Sequence, residues 1–118
     1  MELPKIAAID FDGTLVEDKF PEIGDINVRL FNACRMLKNH GVKLILWSSR
    51  NGTQLQNAVD FCKEHGLEFD AVNENLPEVK QYYGGGDTRK VFADIYIDDK
   101  AVPHTQDPIF WLDRVGVF

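Results

Sequence analysis

The sequence predicts an α/β domain with a mainly parallel sheet of four to five strands and flanking helices. Three observations carry this expectation. Short apolar runs alternate with amphipathic helical stretches along the chain. The runs are nearly continuous in apolarity, which fits strands covered on both faces. Polar residues, several of them aspartates, close the runs, as loops at one edge of such a sheet do.

Lys5 to Phe11 is the first strand, bounded by Pro4 and Gly13. Gly13 to Gly24 reads as a loop containing Pro21. Asp25 is the expected N-cap of a helix over Ile26 to His40, with Leu30, Ala33, Cys34 and Leu37 on its buried face. Gly41 is its C′ residue. VKLILW, Val42 to Trp47, is the second strand, and SSRNG follows. Thr53 to His65 forms the second helix, with a stripe of Leu55, Ala58, Val59 and Cys62 that ends at Gly66. Leu67 to Val72 is a weaker strand, closed by Asn73, Glu74 and Asn75. A short helix spans Pro77 to Tyr83, and Gly84 to Gly86 form a turn. Ala93 to Ile97 is the fourth strand, closed by Asp98 and Asp99. The tail from Pro108 packs Ile109, Phe110, Trp111 and Leu112 as a short helix or turn, with a last strand around Val115 to Phe118.

At 118 residues the expectation is one domain over residues 1–118. A hydrophobic content of 44% builds a core without staples, so Cys34 and Cys62 read as buried thiols of a reducing compartment. A net charge of −6 argues against holding nucleic acid by bulk charge. No apolar run has the length of a membrane span, and the N-terminus lacks the apolar region of a signal peptide. The expected location is therefore cytoplasmic, with no membrane partner.

The strand order places Asp10, Asp12, Ser48, Asp98 and Asp99 at one sheet edge. Four carboxylates there repel unless a cation joins them. A hard divalent ion with oxygen ligands answers that cost, and Mg²⁺ is the expected one. An ionised Asp10 beside such an ion is able to attack phosphorus, with metal and lysine screening the phosphoryl charge.

These residues carry a resemblance. DFDGTL (Asp10 to Leu15), WSSR (Trp47 to Arg50), Lys90, and YIDD (Tyr96 to Asp99) occur in the order of the four motifs of the haloacid dehalogenase superfamily. The resemblance implies a Rossmann-like core and roles for its residues. Asp10 would be nucleophile and metal ligand. Asp12 would be general acid and then base, lending its backbone carbonyl to the metal. Ser48 would hold a phosphoryl oxygen, and Lys90 would neutralise nucleophile and phosphate, with Lys80 as its rival. Asp99, and also Asp98, would complete the metal site. Asp12 suits the phosphatase and phosphomutase branches. The loop after Asp12 and the segment after Val72 are too short for a cap domain, so the chain resembles the capless subgroup. Such members act on large substrates or have a second subunit close the site, and a homo-oligomer is one expectation.

The sequence reading is thus a Mg²⁺-dependent phosphatase acting through an aspartyl-phosphate. Its partner would be a phosphorylated small molecule or an exposed phosphate group. Ser49, Arg50 and Asn75, in loops at the site edge, are candidate substrate contacts, and Glu17 and Glu22 share that position. His40 and His65, each before a glycine at a helix end, read as capping residues, and His104 as a surface loop residue. Trp47 and Trp111 read as core. Two other readings stand beside this one. A receiver-like signalling module would be phosphorylated at Asp70, and a catalytically quiet relative would serve as a partner-binding domain.

Overall fold

The computed structural model describes residues 3–101, 112, 113 and 116. Its centre is a four-stranded sheet in the order β5-β4-β1-β6, with every pair parallel. The strands are β1 (Ile6–Ile9), β4 (Lys43–Leu46), β5 (Ala71–Val72) and β6 (Ile95–Ile97). Between β1 and the first helix lies an antiparallel hairpin of β2 (Val16–Lys19) and β3 (Glu22–Ile26). The helices are α1 (Val28–Asn39), α2 (Gly52–Glu64) and α3 (Pro77–Tyr82).

Alternation along β1 and β4 explains how both faces are covered. Ala7, Ile9, Leu44 and Leu46 join the core beneath α1 and α2. Ile6, Ala8 and Ile45 point to a smaller core shared with Leu76, Val79 and Val91. All of these side chains are buried, as a sheet inside an α/β sandwich requires. α1 buries Leu30, Phe31, Ala33, Cys34 and Leu37, the expected stripe with Phe31 added. Leu112 is buried in the same core as α1.

His40 and His65 are the C-cap residues of α1 and α2, and each ring Nδ1 lies 2.8 Å from the carbonyl oxygen four residues back. Cys34 and Cys62 are free and buried. Trp47 is half-buried against the smaller core. Among the described residues, no helix is long and apolar enough to cross a membrane.

The structure revises three local expectations. The loop from Gly13 to Gly24 folds into the β2–β3 hairpin. The N-cap of α1 is Asn27, not Asp25: its side chain accepts the Leu30 N–H at 3.1 Å, and Ile26 ends β3. The outer strands are shorter than expected because an aspartate interrupts each. Asp70 accepts the Leu44 N–H through Oδ2 and donates its own N–H to the Leu44 carbonyl, both at 2.8 Å. Asp94 makes the same pair of bonds to Ile6, at 2.7 and 2.8 Å. The expectations for residues 102–111 and for a strand at 115–118, including His104 and Trp111, lie outside the described residues.

Candidate metal and phosphoryl site

The site forms where β1, β4 and β6 end side by side. The ladders run one residue past the strands: Asp10 N–H donates to the Ile97 carbonyl and Trp47 N–H to the Ile9 carbonyl, both at 2.9 Å. Phe11 is fully buried between Asp10 and Asp12, anchoring the chain while both flanking aspartates line the cleft. The Phe11 carbonyl then accepts the N–H groups of Thr14, Leu15 and Val16 at 2.9 to 3.2 Å, which curls the chain back toward β2. Gly13 makes this possible. Its φ is +83°, and a Cβ there would lie 2.5 Å from Asp99 Oδ2.

Asp10, Asp98 and Asp99 each present a carboxylate oxygen, and these atoms lie within 4.8 Å of one another. Thr14 stitches them together. Its hydroxyl accepts the Asp99 N–H at 3.0 Å and lies 3.3 Å from both Asp10 Oδ2 and Asp99 Oδ1. Burial, then the charges of Asp98 and Asp99, push the Asp10 carboxyl up to about 7. Burial acts the same way on Asp99, but the hydrogen bond and charge of Lys100, with hydrogen bonds to Asp98 and Thr14, together outweigh it and hold that carboxyl below its ordinary range. Lys100 Nζ is 3.3 Å from Asp99 Oδ2. An all-oxygen set of clustered carboxylates fits a hard divalent cation and not a soft one.

Asp12 stands apart from this triad. Its two oxygens each accept an N–H of Arg50 at 2.7 Å, Oδ2 from Nε and Oδ1 from Nη2. The carboxylate is thus held by Arg50, and the metal role expected of Asp12 is one of its backbone carbonyl. Arg50 is likewise not a free substrate contact. It is 3% exposed. Nη1 donates to the carbonyls of Pro21 and Gln54 at 3.1 and 3.4 Å, and Nη2 also reaches the Glu22 carbonyl at 2.9 Å. The guanidinium carbon lies 5.1 Å from the ring centres of both Phe11 and Phe20.

Ser48 and Ser49 reach the site as expected. Both line a pocket with Asp10 and Asp98. The Ser48 hydroxyl accepts the Arg50 N–H at 3.0 Å, and its backbone N–H donates to Asn73 Oδ1 at 2.7 Å. The main cleft, about 390 Å³, is lined by Asp10, Asp12, Asp18, Phe20, Ser49, Arg50, Asp98 and Lys100. Glu17 and Glu22 are exposed and do not line it.

Lys90 and Asn75 fall elsewhere. Lys90 lies in the segment before β6 and does not line the acidic cleft. Its ammonium lies 5.2 Å from the Tyr96 ring centre. Asn75 is buried and structural: Nδ2 donates to Asp87 and Thr88, and Oδ1 accepts the Phe92 N–H at 2.6 Å. Lys80 pairs with Glu74 and lies 3.8 Å from Asp87. The lysine that lines the acidic cleft is Lys100, one residue after the acidic pair that drew attention to this strand. Asp70, the residue a receiver would phosphorylate, is spent on the Leu44 N–H at the opposite end of its strand. Thr14, Asp18, Phe20 and Asn73 also reach the site, and the sequence reading gives none of them a role there. Of these, only Thr14 carried a signal, by following Asp12-Gly13 directly.

Comparison with known proteins adds one firm relation. No protein-family model matches the chain. No curated protein matches either. Among solved structures, a conserved protein from Bacteroides thetaiotaomicron superposes with a TM-score of 0.79 at 36% identity, over 93% of this chain and 88% of that one. Identity at that level across nearly the whole length goes beyond a shared fold, and the chain belongs to the same family as this conserved protein.

Proposed function

We propose that this protein is a Mg²⁺-dependent phosphatase of the haloacid dehalogenase type. The observation that carries the proposal is the Asp10, Asp98 and Asp99 triad, clustered within 4.8 Å beside Lys100 in an open cleft. Asp10, Asp98 and Asp99 would hold the ion, which supplies charge neutralisation for the phosphoryl group. An Asp10 carboxylate oxygen attacks phosphorus, and the bond from phosphorus to the leaving oxygen breaks as the aspartyl-phosphate forms. Asp12 gives the leaving oxygen a proton. It then takes one from the water that attacks the phosphorus of the intermediate, which restores Asp10 and frees inorganic phosphate. The Arg50 fork uses one lone pair on each Asp12 oxygen and leaves others for that proton. Lys100 and the Ser48–Ser49 loop stand where a phosphoryl group would enter, and Lys100 takes the place expected of Lys90.

The cleft has no cap among the described residues, which supports a phosphorylated small molecule, or a larger one whose phosphate stands clear, as substrate. The free, buried thiols support a reducing compartment such as the cytoplasm.

The test is p-nitrophenyl phosphate hydrolysis with Mg²⁺ and with EDTA, for wild type and Asp10→Asn. Turnover that needs the metal and vanishes in the variant is expected. Turnover that survives Asp10→Asn with Mg²⁺ present would sink the nucleophile assignment and the mechanism with it.

A further inference from the structure

The hairpin and the second aspartate are mechanically joined, and one side chain joins them. Arg50 spends all five of its N–H donors on protein acceptors. Two go to Asp12, two to the hairpin carbonyls of Pro21 and Glu22, and one to Gln54 at the start of α2. Among the described residues, the hydrogen bonds that tie the hairpin tip (19–22) to anything outside the hairpin are those two from Arg50. The base of the hairpin is fixed separately, by Gly13 N–H to the Val16 carbonyl and Asn27 N–H to the Leu15 carbonyl, both at 2.8 Å. The rings of Phe20, 56% exposed at the tip, and of buried Phe11 both pack against the guanidinium. The tip also contributes Phe20 to the cleft wall, next to Asp18.

We infer that Arg50 is a positioning residue that fastens the hairpin tip to the Asp12 carboxylate, so that tip and carboxylate move as one body. A molecule in the cleft is walled by Asp18 and Phe20 of the hairpin as well as by Asp10. Displacement of the tip therefore displaces the Arg50 fork, and the fork carries Asp12 with it. Because no Arg50 donor is left over, the residue acts on substrate through Asp12 and the hairpin, not by direct contact. The coupling itself stands on the geometry, whereas its effect on turnover rests on the phosphatase reading.

Two measurements separate these. The first is amide hydrogen exchange of peptides spanning residues 16–26, in wild type, Asp12→Asn and Arg50→Lys. Asp12→Asn changes no hairpin residue and keeps the shape at position 12. It is nevertheless expected to speed hairpin exchange by about tenfold, with β1 and β4 peptides unchanged. Arg50→Lys keeps the charge but not the fork, and is expected to do the same. Wild-type exchange of the hairpin in Asp12→Asn would overturn the coupling. So would equal acceleration in β1 and β4, which would make Arg50 a residue of the general core. The second measurement is p-nitrophenyl phosphate kinetics of Arg50→Lys. A fall in kcat of at least about tenfold, with KM within about twofold, is expected. A raised KM with kcat intact would make Arg50 a substrate ligand and overturn the assignment. If wild type turns over no phosphate ester at all, the phosphatase reading fails, and the exchange data still decide the coupling.

Discussion

The hydroxyl of Thr14 accepts the backbone N–H of Asp99 at 3.0 Å, across 85 positions of sequence. That bond ties the turn after β1 to the turn after β6 and leaves the hydroxyl proton for a carboxylate. The fit is close because Gly13, beside it, lacks a side chain. Gly13→Ala combines a strained φ of +83° with a methyl 2.5 Å from Asp99 Oδ2. We expect it to lower stability by about 1–2 kcal/mol. We also expect it to weaken Mg²⁺ binding by more than tenfold, because Asp99 must shift. Titration calorimetry against thermal unfolding separates the effects, and full Mg²⁺ affinity in a folded variant would refute the close-packing argument.

Asp10 bears the energetic cost of the site. Burial and the neighbouring carboxylates push its folded carboxyl up to about 7 from the ordinary 3.8, so between those values the folded state holds a proton that the unfolded chain has lost. Metal-free stability therefore falls as pH rises from about 4 to about 7. Asp10→Asn removes the penalty. The metal-free variant is expected to be more stable than wild type above pH 7, and to match it below about pH 4. Discounted for the water that reaches this half-exposed carboxyl, the gain is about 1–2 kcal/mol. Urea unfolding in EDTA at pH 4 and pH 8 measures it, and equal stability of the two proteins at pH 8 contradicts the burial argument.

The same proton governs metal binding. Mg²⁺ requires the ionised carboxylate, so binding near neutral pH expels the proton held by Asp10. Apparent affinity should fall by about tenfold per unit as pH drops below about 7, and flatten above it. Calorimetry in buffers of different ionisation enthalpy counts the protons released. No proton release at pH 6 would argue that Asp10 is not a ligand.

Asn75 supplies a contrast. It is 4% exposed, and its side chain pins Asp87, Thr88 and Phe92. Asn75→Ala leaves the Phe92 N–H without its acceptor and is expected to destabilise the fold by about 2–3 kcal/mol. Mg²⁺ affinity should stay within about twofold of wild type. A selective loss of Mg²⁺ affinity or turnover, with stability intact, would return Asn75 to the substrate site.

How far the sequence could be read follows from what each element depends on. β1, β4, α1 and α2 were legible because their burial patterns are local: apolar runs for the strands and stripes at helical spacing for the helices. The hairpin was not, because VEDK and EIGDI are mostly polar and their ladder is with each other, away from the central sheet. The clustering of Asp10, Asp98 and Asp99 was legible because parallel strands end on the same edge whatever their details. The Arg50 fork was hidden, since all but one of its acceptors, the Gln54 carbonyl, lie 28 to 38 residues upstream, and only burial distinguishes it from a surface arginine. Lys100 lines the acidic cleft while Lys90 lies beside the Tyr96 ring, a difference of side-chain placement that residue order along the chain does not reveal.

The paired bonds between Asp94 and Ile6 have a consequence far from where they form. β6 is three residues long, and so short a ladder does little to choose its own alignment. The bonds at its entry set Ile95 against Ala7 and Ile97 against Ile9. That alignment decides which two side chains emerge beside Asp10. Sliding β6 by one position would turn Tyr96 into the sheet's core face and rotate the acidic pair away from its partner. A designer who transplanted only the acids onto another sheet would leave their spacing undefined. Asp94 lies outside the acidic cluster, yet it is the gauge block against which that cluster's edge is set.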